Sequence, residues 1–330
     1  MDRKIGNIVL ILFIISSTLI SSCQSTSKRT YVSIGNQYAK DGLLREAIES
    51  YKKSIAVRPK NFTAYRNLGM VLVKVGNYKD AVRYLDKAMY RYSNNFDANF
   101  YLGEAYRALE NYADAIFHYQ KSLKIKSLDS KALKALAWSY FRIRYYSEAL
   151  QTARKLQKVE PRDAQTAIII ARTYLKIKRY REALKTIRAS KEDAEKFDLA
   201  YLHSVEGDIM FEVGAVKKAM KLYKLAVKQQ PLLAGALLGL GKCYLEEKKF
   251  KVAITYMERA LRIRPYLTET HLLLGKAYEK INSQKAVKHY QLFRRQASTD
   301  PEYISLLTDV KKRISSLRKS KKRGNAKENL

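Results

Sequence analysis

Four histidines and two cysteines are the residues of this sequence best suited to acid–base, nucleophilic or metal chemistry. A catalytic histidine needs a partner within hydrogen-bonding reach, and a metal site needs several ligands at matched spacing. His118, His203, His271 and His289 form no such pattern with each other or with a cysteine. The sequence therefore predicts no enzyme, no metal site and no cofactor, and it favours packing roles for the histidines.

Cys23 is the side chain whose surroundings indicate a specific reaction, the acylation of its thiol. Arg3 and Lys4 precede an apolar run over residues 8–15, and residues 16–22 lead through small side chains to Cys23. This layout is typical of a signal peptide, and the run is shorter than the roughly 20 apolar residues of a membrane span. The segment resembles a bacterial lipobox, in which the cysteine is diacylated and becomes the mature N-terminus. An ordinary signal peptide and an uncleaved signal anchor remain the alternatives.

The charge balance is strongly basic. Lysine and arginine total 64 against 31 for aspartate and glutamate, which gives a formal net charge of +33. Such a surface attracts acidic proteins, anionic lipid headgroups or nucleic acid. The C-terminal cations from Lys311 to Arg323 could bind an anionic membrane or simply remain solvated, and export would exclude nucleic acid.

A period of 34 residues organises most of the chain. Alanine recurs at that interval and, after a slip of two residues, does so again, at Ala47, Ala81, Ala115, Ala149 and Ala183 and then at Ala219 and Ala253. Glycine keeps the same interval in two sets, Gly35, Gly69 and Gly103, and Gly207, Gly241 and Gly275. Fixed self-similarity of this length indicates a repeat architecture.

The residue types within the period resemble those of the tetratricopeptide repeat, a helix–turn–helix unit. In the first unit the signature positions hold Tyr31, Ile34, Gly35, Tyr38, Ala47, Tyr51, Ser54 and Pro59. Small residues suit the points where two helices cross closely, and large residues fill the space between crossings. The resemblance implies an all-α fold, a right-handed superhelical α-solenoid of about eight repeats with a C-terminal capping helix.

The sequence predicts five segments along the chain. These are a signal peptide at 1–22, a lipid-anchored linker at 23–27, the repeats at 28–299, a capping helix at 300–318 and a basic disordered tail at 319–330. The capping helix is expected because a terminal repeat would otherwise leave its apolar face in water. The eighth repeat has lost a residue before Ala286, so its inner turn is expected to differ.

In tetratricopeptide arrays the first helices of successive units line a concave groove, and the resemblance carries this geometry over to the present chain. The side chains that it places in the groove are Arg66, Phe100, Arg107, Lys134, Trp138, Phe141, Arg172 and Phe211. Aromatic and arginine side chains dominate binding hot spots. The alternative is that Trp138 and Phe141 only pack against neighbouring helices.

These features predict a non-catalytic scaffold for protein–protein interaction. We expect a lipoprotein that faces the periplasm from the bacterial envelope, with the outer membrane preferred, and that assists assembly of an envelope complex. Its partners would be proteins or peptides, acidic ones favoured, together with the membrane through lipidated Cys23. The alternative is a protein whose basic surface binds an anionic membrane or another polyanion.

Overall fold

The computed structural model describes residues 31–192, 194–298, 300 and 303–328, without the side chains of residues 196, 197 and 320–328, and the regular structure in these ranges is α-helical. The helices in chain order are α1 (31–40), α2 (Leu44–Val57), α3 (Phe62–Lys74), α4 (Tyr78–Tyr92), α5 (Phe96–Ala108), α6 (Tyr112–Ile125), α7 (Ser130–Arg142), α8 (Tyr146–Val159), α9 (Ala164–Lys176), α10 (Tyr180–Lys191), α11 (Lys196–Glu212), α12 (Val216–Gln229), α13 (Ala234–Glu246), α14 (Phe250–Ile263), α15 (Thr268–Tyr278), α16 (Ser283–Ala297) and α17 (Ile304–Glu328). The predicted signal peptide and linker, and Cys23 with them, lie outside the described residues.

The helices pair in the register that the sequence predicts. Four odd-numbered helices begin 34 residues apart, at Phe62, Phe96, Ser130 and Ala164. Eight helix pairs, from α1–α2 to α15–α16, are followed by α17. The predicted all-α tetratricopeptide fold is therefore confirmed, and we call the odd-numbered helices α1 to α15 the A helices and the even-numbered helices α2 to α16 the B helices.

The described part of the chain divides into two compact units, one that ends at Pro161 and one that begins at Arg162. In the first unit the A helices α3, α5 and α7 contact one another in chain order, and in the second α9, α11, α13 and α15 do the same. Within each unit a B helix packs against its own A helix and the next one. Each unit therefore has a row of A helices on one side and B helices on the other.

Close crossings between paired helices depend on a small residue, as the sequence predicts. A Cβ atom added at Gly103 would lie 2.6 Å from Cε1 of Tyr119, and one added at Gly35 would lie 2.6 Å from Cε1 of Tyr51. Both tyrosines are almost fully buried. Glycine allows the A helix to rest directly on the tyrosine ring of its B helix, and any larger residue would force the pair apart.

The turn between the paired helices contains a left-handed residue in the first seven repeats. Glycine fills this position at Gly42, Gly76 and Gly214, whereas Glu110, Arg144, Lys178 and Lys248 adopt positive φ values without being glycine. The eighth repeat differs, as its missing residue predicts. Its helix α15 ends after 11 residues, and Asn282, at φ −154°, caps α16 by accepting from the Lys285 amide.

Helix α17 covers the end of the repeat core. Val310 and Ile314 are buried, and Leu307 and Leu317 pack beside them against the core of the last repeats. Ile304, which has the same helical spacing, is 53% exposed. The helix continues to Glu328, so the structure differs here from the sequence-based expectation of a disordered tail beyond residue 318. Lysine, arginine and alanine favour helix, which accounts for the extension.

In the described part of the chain, no helix combines the length and apolarity required to cross a membrane.

Two glycines of α13 provide a matched test of the packing. An added Cβ would overlap the Tyr223 ring at Gly239 but would lie 3.7 Å from Ser204 Oγ at Gly235. Gly239→Ala should lower the free energy of unfolding by about 1–3 kcal/mol. Gly235→Ala should leave it unchanged or raise it by up to about 1 kcal/mol. Urea unfolding followed by circular dichroism measures both, and equal effects would contradict this packing.

Candidate functional site on the A helices

The side chains predicted to line a groove all lie on A helices and are all partly exposed. The first unit holds Arg66 on α3, Phe100 and Arg107 on α5, and Lys134, Trp138 and Phe141 on α7, and the second unit holds Arg172 on α9 and Phe211 on α11. None of them is a core residue in the described structure. The A helices within each unit are therefore the elements that present these side chains.

Trp138 and Phe141 form an aromatic pair on α7. Their ring centroids are 5.3 Å apart and the rings are stacked, with 28° between their planes. Phe141 also approaches Tyr146, at the start of the B helix of the same repeat, at 6.1 Å. Internal packing therefore accounts for part of the Phe141 surface, and the pair as a whole is only half-buried.

Two of the predicted groove cations of the first unit, Arg107 and Lys134, are paired with carboxylates of the protein. The Arg107 guanidinium lies 2.7 Å from Glu104 Oε2, and its Nε also donates to Glu104 Oε1 and to the Tyr119 hydroxyl, each at 3.2 Å. Burial alone would lower the pKa of Arg107, but the hydrogen bond and charge of Glu104 raise it above its ordinary value. Lys134 lies 3.8 Å from Glu160. An acidic ligand would have to compete with these carboxylates.

A further regularity concerns the residue that follows the small residue at each helix crossing, which we call the face position. In three of the four repeats whose B helix carries a buried tyrosine at the crossing, the face position holds an acceptor for its hydroxyl. These pairs are Tyr51 with Asn36 at 2.8 Å, Tyr119 with Glu104 at 2.5 Å and Tyr223 with Asp208 at 2.8 Å. The acceptor thus satisfies a hydroxyl that the crossing buries.

Repeats without this tyrosine carry no such acceptor at the face position. In these repeats the face-position residue and the B-helix residue at the crossing are Met70 with Leu85, Trp138 with Ala153, Arg172 with Ile187, and Lys242 with Met257. The eighth repeat also has a buried tyrosine at the crossing, but the Tyr290 hydroxyl donates to Glu279 Oε1 at 2.5 Å. The face position of this repeat holds Lys276. In three repeats a tyrosine thus commits the face position to the fold, whereas no buried hydroxyl requires an acceptor at Trp138.

In the second unit the face positions form a row of charges. Arg172, Asp208 and Lys242 occupy successive repeats, and Lys242 Nζ lies 2.6 Å from Glu269 Oε1. Burial raises the pKa of Asp208, and the charges of Arg172 and Lys242 oppose that rise. Burial lowers the pKa of Arg172, which Asp208 opposes in turn. Arg172 was predicted as a groove cation, and it faces this internal acid.

Phe211 and Cys243 lie near the same row. Phe211 packs against the core cluster that contains Leu240 and Cys243. Burial raises the pKa of the Cys243 thiol to about 12, so the thiol stays protonated and unreactive at neutral pH.

The histidines make contacts that suit packing roles. Nδ1 of His118 lies 3.2 Å from Asn99 Oδ1, and Nδ1 of His203 lies 2.9 Å from Gln229 Oε1. The Nδ1 atoms of His271 and His289 are 3.1 Å apart. Burial and the neighbouring His271 lower the pKa of His289 to about 4. Among the residues that the structure describes, no group of three His, Cys, Asp or Glu side chains could hold a metal ion.

Comparison with known families agrees with this geometry. Three tetratricopeptide repeat models match residues 35–76, 60–127 and 206–267. The chain is a tetratricopeptide repeat protein. The model for subunit 3 of the anaphase-promoting complex, or cyclosome, matches residues 108–190 of this tetratricopeptide protein. No curated protein sequence matches it significantly.

Solved structures resemble the tetratricopeptide protein in fold. Yeast Tom70 superposes with a TM-score of 0.60 at 16% identity, covering 83% of this chain and 61% of that one. The matching chain in the crystal structure of the APC/C hetero-tetramer Cut9–Hcn1 superposes with a TM-score of 0.59 at 14% identity, covering 81% of this chain and 52% of that one. A chain of the human IFIT1 dimer with PPP-AAAA superposes with a TM-score of 0.54 at 20% identity, covering 78% of this chain and 65% of that one. The chain thus spans between about half and two thirds of these proteins, and such identities establish the fold alone.

The tyrosine and face-position pairing can be tested in the third repeat of this tetratricopeptide protein. Glu104→Met should leave the Tyr119 hydroxyl and Arg107 without their acceptor, and Tyr119→Phe should remove the donor, each costing about 1–3 kcal/mol. The double variant should lose less than the sum, with a coupling of about 0.5–3 kcal/mol. Urea unfolding of the four proteins measures that coupling.

Tyr140 provides the control for this cycle, because its hydroxyl accepts from Gln120 instead. Glu104→Met combined with Tyr140→Phe should be additive. Additivity in the Tyr119 cycle as well would show that the hydroxyl and the carboxylate do not act together.

Proposed function

We propose that this tetratricopeptide repeat protein is a non-catalytic scaffold that is anchored by a lipid on Cys23 and assists assembly of a cell-envelope complex. Its partners are proteins or peptides that bind the A helices. The observation that carries the binding surface is the partly exposed, stacked pair of Trp138 and Phe141, of which Trp138 lies at a face position with no buried tyrosine hydroxyl beneath it. Large aromatic side chains of this kind give binding energy at low entropic cost.

The chemistry around the pair indicates what a partner must supply. An apolar anchor would bury the two rings, because they are large apolar groups that α7 leaves partly exposed. An acidic residue beside that anchor could exchange with Glu104 for the Arg107 guanidinium, whose side chain is 35% exposed and lies 2.7 Å from the carboxylate. The net charge of +33 would attract such an acidic segment and accelerate the encounter.

The binding surface can be tested by photo-crosslinking in the native cell. A photoreactive residue in place of Phe141 should give discrete adducts, and Trp138→Ala should weaken them as expected for a hot spot worth roughly 2 kcal/mol. The matched control is a photoreactive residue in place of Phe117, which is 50% exposed on the B helix α6. If adducts form only at residue 117, or if Trp138→Ala leaves the adducts at residue 141 unchanged, the partner does not bind at the Trp138 and Phe141 pair.

The anchor and its location are proposed from the sequence layout. Basic, apolar and small residues precede Cys23 in the order of a lipoprotein signal. Gln24 follows the cysteine where some bacteria use Asp to retain a lipoprotein at the inner membrane, so we propose outer-membrane residence facing the periplasm.

Replacement of the acylated thiol tests this anchor. Cys23→Ala should leave an unprocessed precursor or release the protein from membranes, whereas Cys243→Ala should do neither. Fractionation with an antibody to the folded repeats measures the outcome. Normal processing and membrane retention of Cys23→Ala would eliminate the lipoprotein proposal.

A further inference from the structure

The outward side of the second unit carries unusually concentrated positive charge. Helix α12 contains five lysines and no Asp or Glu, and its apolar side is buried through Ala219, Tyr223 and Ala226. Helix α16 also has no acid. Helix α14 has only Glu258, which accepts from the Tyr278 hydroxyl at 2.7 Å. These helices therefore supply almost no carboxylate to neutralise their own cations.

The three helices form one surface. Each packs between two consecutive elements, α12 against α11 and α13, α14 against α13 and α15, and α16 against α15 and α17. They accordingly lie on the same side of the A-helix row. We call their exposed cations the basic B face, which comprises Lys217, Lys218, Lys221, Lys224, Lys228, Lys251, Arg262, Lys285, Lys288, Arg294 and Arg295.

Helix stability does not explain this charge. In the first unit every B helix has an acid in its first turn, namely Glu46, Asp80, Asp114 and Glu148, and acids there suit the positive end of the helix dipole. Helices α12, α14 and α16 have none, and their first turns carry Lys217, Lys218, Lys251 and Lys285 instead. Cations at that end oppose the dipole and weaken the helix. A ligand that supplies negative charge would remove the penalty.

The apolar groups on this surface favour one kind of anion. Leu225 is 46% exposed between Lys224 and Lys228, and Val252 is 40% exposed beside Lys251. Aliphatic groups between lysines suit the boundary between lipid headgroups and acyl chains, whereas single-stranded nucleic acid is usually bound through exposed aromatic rings. The aromatic residue of α12, Tyr223, is buried with its hydroxyl on Asp208.

We propose that the basic B face of the second unit binds the surface of an anionic lipid bilayer. The lysines would contact headgroup phosphates, and Leu225 and Val252 would enter the headgroup layer. The proposal goes beyond the lipid anchor and the A-helix site, because it assigns a second membrane contact that needs no acyl chain. It would leave the A helices of this unit on the side away from the bilayer.

Vesicle binding of the full chain tests the proposal, with Cys23→Ser in every sample so that no acyl chain contributes. The probes are vesicles of phosphatidylcholine alone and of phosphatidylcholine with 30% phosphatidylglycerol. Lys221→Glu with Lys224→Glu and Lys228→Glu should weaken binding to the anionic vesicles by roughly a hundredfold. Binding to the neutral vesicles, which reports the apolar segment at residues 8–15, should not change.

The control is a triple variant of equal charge in the first unit, Lys53→Glu with Lys79→Glu and Lys124→Glu, at exposed positions on α2, α4 and α6. It should change anionic-vesicle affinity by less than about threefold, because distant exposed charges are screened. Equal losses in the two variants, or none in the α12 variant, would overturn the proposal. If the α12 variant loses helicity, the same three lysines changed to Gln should lower affinity about tenfold, and no loss there would also overturn it.

A second measurement separates lipid from nucleic acid. Leu225→Ser should weaken anionic-vesicle binding several-fold, whereas Val75→Ser, at a residue 44% exposed in the first unit, should not. Neither change should alter binding to a 20-nucleotide single-stranded DNA. If the α12 lysine variant loses DNA binding but retains anionic-vesicle binding, the surface recognises nucleic acid and the proposal fails.

Discussion

The contact on which this architecture depends is the close crossing of each helix pair, where a small residue of the A helix rests on the B helix, in most pairs on a large side chain. At Gly35, Gly103 and Gly207 that side chain is a tyrosine ring, and an added Cβ would lie 2.6 to 2.7 Å from a ring carbon. The interior has no space to absorb a methyl group at such a contact, so the distance between the helices is fixed. Because the same contact recurs at a 34-residue interval, one local packing solution becomes a repeat array.

The crossing also determines which side chains are available for binding. A tyrosine that passes beneath the A helix brings a hydroxyl to the face position, and a buried hydroxyl requires an acceptor. Asn36, Glu104 and Asp208 meet that requirement and are thereby committed to the fold. Where a smaller or aliphatic residue fills the B helix, the requirement disappears. The aromatic surface at Trp138 is possible because Ala153 supplies no hydroxyl.

The helix pairs and the cap could be predicted from the sequence because they follow from local periodicity. The 34-residue interval predicts the helices that begin at Phe62, Phe96 and Ser130. The helical spacing of the apolar residues Val310 and Ile314 predicts the capping helix. The state of the candidate site could not be predicted in the same way. Arg107 looked like a free groove cation, but its pairing with Glu104 depends on side-chain geometry that periodicity does not contain. Where a tyrosine lies sixteen residues after a crossing glycine in this chain, an acid or an amide follows that glycine, as Glu104 does before Tyr119, and this spacing is the sequence signal for the pairing.

The two sides of the second unit use charge in opposite ways. On the A helices Arg172, Asp208 and Lys242 alternate in sign, and the opposed pKa effects of Arg172 and Asp208 show that each favours the charged form of the other. Such a row satisfies itself and contributes little net field. On the B helices the lysines of α12 have no acid of their own helix to pair with, and those in the first turn oppose the dipole. Charges that pair with each other within the chain stabilise the fold. Charges that have no acid on their own helix and weaken that helix are more simply explained by a partner outside the chain.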